Sequence, residues 1–175
     1  KDMSETIAED KIVSIQNAKT GQALCVEGGG VKSLANVISW DYSGQANQKW
    51  YLESSKVGDT DTVKLVNIKS FSVIAVNGGN SNEGERLIIW PYTGGEDQNW
   101  IQEQSGEYVK FKNAKTGLYL TLESENPAAK AVQKAASDSK LQLWNVEAVG
   151  NSSPSEGTPE VESVSVTPKT ATVQT

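Results

Sequence analysis

The sequence predicts an all-β chain of about twelve short strands arranged as three repeats of four. Three observations carry this. Asn17 is followed 33 residues on by Trp50, Asn67 by Trp100 at the same spacing, and Asn113 by Trp144 after 31. Each of these stretches ends in a Gln-x-Trp triplet, namely Gln48/Trp50, Gln98/Trp100 and Gln142/Trp144. Within each, β-branched and aromatic residues come in short runs broken by Gly, Asn, Asp and Ser, the texture of strands and turns.

Taken in order, "KIVSI", "KLVNI" and "YVKFKN" open the repeats, and "ALCVE", "SVIAV" and "LYLTL" follow a turn. "NVISW", "RLIIW" and, less clearly, "KAVQK" supply the third strands, while "KWYLES", "NWIQEQ" and "LWNVEA" close the units. Three units leave no room for separate capping repeats, so the expected assembly is closed rather than a solenoid. The third repeat carries "NPAAKAVQKAA", whose composition favours helix over strand, and it has no glycine between Gly117 and the end of the unit.

Composition excludes several functions. A net charge of -6, a pI near 4.8 and 16 scattered Lys and Arg residues do not track a phosphate backbone, so no nucleic-acid partner is expected. There is no run of 18 apolar residues, and "KDMSETIAED" has no apolar stretch of signal-peptide type, so no membrane partner is expected. The chain has no histidine, the commonest general base and metal ligand. No cofactor is expected. Cys25 is the single cysteine and reads as a small buried apolar residue. The carboxylates of Asp59/Asp61 and Glu83/Glu85 lie in turn-like segments, where solvated charge is the ordinary reading and catalysis is not indicated. "DTD" lacks the spacing of a calcium loop, and "NSS" at 151–153 matches a glycosylation acceptor only formally.

The in-phase triplets, the "NAKTG" segments at 17–21 and 113–117 and the "GG" pairs at 28 and 78 resemble the ricin B-type β-trefoil lectins and related carbohydrate-binding modules of bacterial glycosidases. The resemblance covers residues 11–149. It implies a β-trefoil with pseudo-threefold symmetry and repeats at about 11–60, 61–106 and 107–149. Residues 1–10 read as an N-terminal extension, and "GNSSPSEGTPE" at 150–160 as a flexible linker. The tail at 161–175 is similar to the opening strands of bacterial immunoglobulin-like repeats. A multi-domain parent, secreted or on the cell surface, is therefore expected.

A large ring at the same place in every unit belongs in a shared core layer, which assigns Trp50, Trp100 and Trp144 to structure. Trp40 and Trp90 each lie ten residues before a triplet tryptophan, just ahead of a turn. From the residues alone they pack under that turn. The resemblance implies instead an aromatic platform for a sugar ring, joined by Tyr42 and Tyr92, with Gln48 and Gln98 supporting the loop beside the pocket.

Asn47 and Asp97, immediately before the triplet glutamines, carry side chains that bond a hydroxyl. The resemblance also implies an Asp on the strand before the Gly-rich turn, yet the matching positions hold Cys25, Ala75 and Thr121. Glu27 and Asn77, two residues further on, share a strand face with Cys25 and Ala75 and are candidate replacements. Without the Asp, galactose-type recognition lacks its usual grip. The third repeat, with Lys134 at the platform position and Leu141 before its glutamine, reads as a degenerate site.

The expected function is a non-catalytic, monomeric carbohydrate-binding module that attaches a larger bacterial glycosidase or adhesin to glycans, partnered by the other domains of its parent chain. The alternative is a trefoil that has lost its sugars and serves as a structural or protein-interaction domain. An inhibitor or toxin-attachment domain is a remoter option.

Overall fold

The structure is a computed structural model and describes residues 11–150. The N-terminal extension, the expected linker beyond Gly150 and the immunoglobulin-like tail lie outside the described residues. Twelve strands follow one another: β1 (Ile12–Asn17), β2 (Ala23–Val26), β3 (Val37–Trp40), β4 (Trp50–Val57), β5 (Thr60–Asn67), β6 (Val73–Val76), β7 (Leu87–Trp90), β8 (Trp100–Ser105), β9 (Tyr108–Asn113), β10 (Tyr119–Leu122), β11 (Ala131–Lys134) and β12 (Trp144–Ala148). The fold is the β-trefoil that the repeats predict.

The first and fourth strands of each repeat form a closed barrel, in which β1 pairs with β4, β4 with β5, β5 with β8, β8 with β9, β9 with β12 and β12 with β1. The remaining strands form three hairpins, β2–β3, β6–β7 and β10–β11. Backbone bridges Asn36↔Ile88, Ile38↔Lys130 and Arg86↔Val132 tie these hairpins into a triangular cap. Strands β2, β6 and β10 are buried along their whole length, which explains the unbroken apolar runs of β2 and β6, whereas β8 after Trp100 alternates half-buried and exposed positions.

Beneath the cap, Trp50, Trp100 and Trp144 are fully buried together with Ile15, Leu24, Leu65, Ile74, Leu87, Phe111 and Leu120. Each indole N–H donates to a strand carbonyl, of Leu24, Ile74 and Leu120 at 3.0, 3.0 and 3.1 Å. A buried indole N–H left unpaired is costly, so the same bond recurs in all three repeats.

Strand β11 runs against local propensity. Its "AVQK" sits in the Ala-rich stretch that composition assigns toward helix, yet it pairs with β10 at Leu120↔Gln133 and Thr121↔Val132. Helix preference amounts to tenths of a kcal/mol per residue. Against it stand the burial of Ala131 and Val132 and the fixed side chain of Gln133. Its amide donates to the carbonyls of Asn80 and Asn82, both at 2.9 Å, and its oxygen accepts from the Thr116 hydroxyl.

Candidate functional site

The alignment asparagines, to which the sequence assigned no role, hold the frame of the site. Asn17, Asn67 and Asn113 are buried at the ends of β1, β5 and β9. Each side-chain oxygen accepts the N–H groups two and three residues on, closing the turn: Lys19 and Thr20, Lys69 and Ser70, Lys115 and Thr116. Each amide then donates across to the loop of another repeat, to Leu141, Asn47 and Asp97 carbonyls at 3.0, 3.1 and 2.9 Å. Those acceptors are the residues just before the triplet glutamines. One side-chain type therefore locks each turn to the neighbouring loop.

The glutamines pin the segment after the third strand of each repeat. The Gln48 amide donates to the Asp41 carbonyl at 2.7 Å and its oxygen accepts from the Ser43 N–H and hydroxyl. Gln98 does the same with the Pro91 carbonyl and with Thr93 and Gly95. Gln142 bonds the Ala135 carbonyl and the Ser137 N–H. Their polar atoms are engaged by the loop, so they set the shape of the wall.

Three clefts result, one per repeat, each between a hairpin of the cap and the triplet loop. The first, of about 360 Å³, is lined by Cys25, Val26, Ile38, Trp40, Asn47 and Gln48 among others. The second, of about 410 Å³, is lined by Leu34, Ala75, Ile88, Trp90, Asp97 and Gln98, with Thr93 at its edge. The third, of about 330 Å³, has Thr121, Lys134, Ser137 and Gln142, with Glu83 and Glu123 at the rim.

Trp40 and Trp90 end β3 and β7 and are 51% and 39% exposed, so the turn does not bury them. Both offer ring surface to their cleft. Asp97 faces Trp90, with one carboxylate oxygen accepting the Val76 N–H at 3.2 Å. Asn47, its counterpart, instead donates to the Val26 carbonyl at 3.3 Å. The first cleft thus keeps an amide oxygen, the second a charged carboxylate. Gly79, in the left-handed region at φ 61°, lies against Asp97 and Lys115, and a side chain there would meet the Lys115 ammonium at 3.3 Å.

Four expected residues do not line these clefts. Glu27 and Asn77 follow the last strand residues Val26 and Val76, where the chain turns into a short 3₁₀ segment. The two-residue strand parity fails there. Glu27 accepts from the Asn36 amide and Asn77 donates to Glu85, both within the hairpin loop. Tyr92 lies under the Lys64 ammonium, 3.9 Å from its ring centre, with its hydroxyl toward Asn99. Tyr42 is half-buried, and burial raises its phenol pKa.

Cys25, Ala75 and Thr121 do occupy the floors of the three clefts, at registers Cys25↔Ile38, Ala75↔Ile88 and Thr121↔Val132. The Cys25 thiol is pushed up to about 11 by burial and, secondarily, by the Glu27 charge, so it is a neutral floor group. The turn carboxylates do not gather into a site. Asp61 holds Lys56 at 2.7 Å, which lowers its pKa, and Glu85 is held low by bonds from Asn77 and Asn80. No group of three metal-ligating His, Cys, Asp or Glu side chains exists among the described residues.

A trefoil with an open cleft beside each triplet loop, two of them presenting a tryptophan and a polar partner, defines a lectin-type domain. The family model described as "Ricin-type beta-trefoil lectin domain-like" matches residues 6–90 and 46–126, and the chain belongs to this family of carbohydrate-binding folds. A designed 3-fold symmetric protein, ThreeFoil, is 29% identical, with a TM-score of 0.75 over 80% of this chain and 100% of that one. The exo-β-1,3-galactanase of Clostridium thermocellum is 25% identical, with a TM-score of 0.75 over 82% of this chain, which spans 31% of that enzyme. The Macrolepiota procera ricin B-like lectin in complex with lactose shares the fold at 17% identity, with a TM-score of 0.64 over 81% of this chain and 97% of that one. No curated protein sequence matches the chain.

Proposed function

We propose that this domain is a non-catalytic carbohydrate-binding module that attaches a larger bacterial protein, secreted or on the cell surface, to glycans. The observation that carries this reading is the pairing of an exposed tryptophan with a hydroxyl-binding side chain at the same place in two clefts: Trp40 with Asn47, and Trp90 with Asp97. A sugar ring lays its C–H face on such an indole while the polar partner takes a hydroxyl. The third cleft has Lys134 and Leu141 at these positions and lacks both elements. Family membership supports carbohydrate as the ligand class, and the galactanase supports the role of an appended module.

Shallow clefts with one polar partner bind weakly, and two on one domain gain through avidity on a repeating glycan. Titration of galactose, lactose and β-1,3-linked galactose oligomers, followed by NMR of the indole N–H signals, tests this. Binding is expected to shift Trp40 and Trp90, to lose one site in each of Trp40→Ala and Trp90→Ala, and to vanish in the double variant. Unchanged binding in the double variant removes the proposed sites.

A second reading has one observation in its favour. The floors hold Cys25, Ala75 and Thr121, none of them a carboxylate, as in a trefoil that has turned to protein contacts. A broad glycan array without a signal, together with a protein partner whose binding depends on Trp40 or Trp90, would establish it.

A further inference from the structure

One equivalent position in the cap of each repeat lies in the left-handed region: Leu34 at φ 78°, Gly84 at φ 91° and Ala128 at φ 64°. The fold asks for this conformation by the same pair of bonds each time. Leu34 donates its N–H to the Ile89 carbonyl at 3.0 Å, and the Ile89 N–H donates to the Ala35 carbonyl at 3.1 Å. Gly84 and Glu85 repeat this with Gln133, and Ala128 and Ala129 with Ser39. Glycine adopts such a backbone freely, and a branched side chain there is disfavoured. The bonds themselves therefore do not call for leucine.

Leu34 is also half exposed, and its backbone is clamped, since its carbonyl accepts from Arg86 at 3.1 Å. It lines the second cleft, from a different repeat, together with Trp90, Ile88 and Asp97. The first cleft has no such wall, and the third has Glu83 on that side. A leucine held in a disfavoured conformation and half in water gains little for the fold, yet it gives one cleft of three a second apolar surface.

We infer that Leu34 is a specificity-determining residue of the second cleft, which selects a neutral hexose carrying a methyl-ended substituent, either N-acetyl or 6-deoxy. This rests on the glycan reading above. Trp90 covers the C–H face of the ring, so the second apolar surface matches an apolar group on the ring's periphery. The Asp97 carboxylate takes a hydroxyl and disfavours acidic sugars.

The test is an NMR titration in which the indole signals of Trp40 and Trp90 report the two clefts separately. The probes are galactose and glucose, their 2-acetamido derivatives, and 6-deoxygalactose. At Trp90 a methyl-bearing sugar is expected to bind about fourfold more tightly than its parent, the gain from burying one methyl group. At Trp40 no preference is expected. Leu34→Gly and Leu34→Asn both tolerate the left-handed backbone, so they are expected to erase the preference while leaving the thermal midpoint unchanged or, for glycine, raised. Sugars that bind at Trp90 without a methyl preference, or a preference that survives both variants, overturn the inference and leave the glycan reading intact. A Trp90 silent with every probe overturns the inference, and overturns the glycan reading as well when Trp40 is silent too.

Discussion

The second and third clefts share a frame and differ in lining. In both, a buried asparagine from the next strand set fixes the triplet loop, a glutamine pins the segment beyond the hairpin, and a fully buried tryptophan sits behind. In front, one cleft offers Trp90, Asp97 and Leu34, the other Lys134, Leu141 and Glu83. The difference teaches that frame and lining are separate properties of the repeat. The frame positions satisfy buried polar groups and core volume, whereas the lining positions face water and are released from that duty.

The sharpest way to break the comparison is to remove the frame. Trp100→Ala and Trp144→Ala are each expected to destabilise the domain by about 3–5 kcal/mol in chemical denaturation, although only the first stands behind a tryptophan-lined cleft. Trp90→Ala is expected to cost less, about 1–2 kcal/mol, since Trp90 is 39% exposed. A cost for Trp90→Ala equal to that of Trp100→Ala would erase the distinction.

Next come the asparagines. Asn113→Ala leaves the Lys115 and Thr116 N–H groups and the Asp97 carbonyl without their partner, and Asn17→Ala does the same to the third cleft. Each is expected to cost about 1–3 kcal/mol. Of the two, Asn113→Ala is expected to weaken ligand binding more, because it frees the loop that carries Asp97.

A smaller effect separates the floors. The Cys25 thiol has its pKa raised from 9.0 to about 11, so between those values the folded state holds a proton that the unfolded state has lost. Stability from this group is fully present below pH 9 and is lost as the pH rises through 11. Denaturation midpoints of the native chain against Cys25→Ala, measured from pH 8 to 11, are expected to diverge with the native chain falling faster. The smallest effect is that of Lys134→Ala, which is expected to leave both stability and glycan binding unchanged. A loss of binding in that variant would make the third cleft functional.

Much of this was legible in the sequence. The strands are marked by apolar runs, and the core tryptophans by their recurrence in phase. The place of Trp40, Trp90, Asn47 and Asp97 on the clefts was legible because each keeps a fixed offset from a triplet. Three features were not. The role of Asn17, Asn67 and Asn113 lay in bonds to residues of other repeats, which spacing alone does not reveal. Glu27 and Asn77 fall outside the cleft linings because the strands end just before them and strand parity does not continue. Leu34 was invisible because a left-handed residue leaves no periodic trace, and its cleft belongs to the following repeat. Strand β11 was the weakest of the twelve for the reason that its partners outweigh its own preference.

The pairing that closes the barrel has a mechanical consequence. Strand β1 meets β12 antiparallel from Val13↔Ala148 to Asn17↔Trp144, and the Val149 N–H bonds the Ile12 carbonyl at the open end. Tension applied to the chain on the two sides of the domain therefore falls on that single outermost bond before it reaches the next. The seam opens as a zipper, one rung at a time, instead of shearing all its rungs together. A domain pulled by both ends would therefore be compliant, yielding from its own closing seam inward toward Asn17.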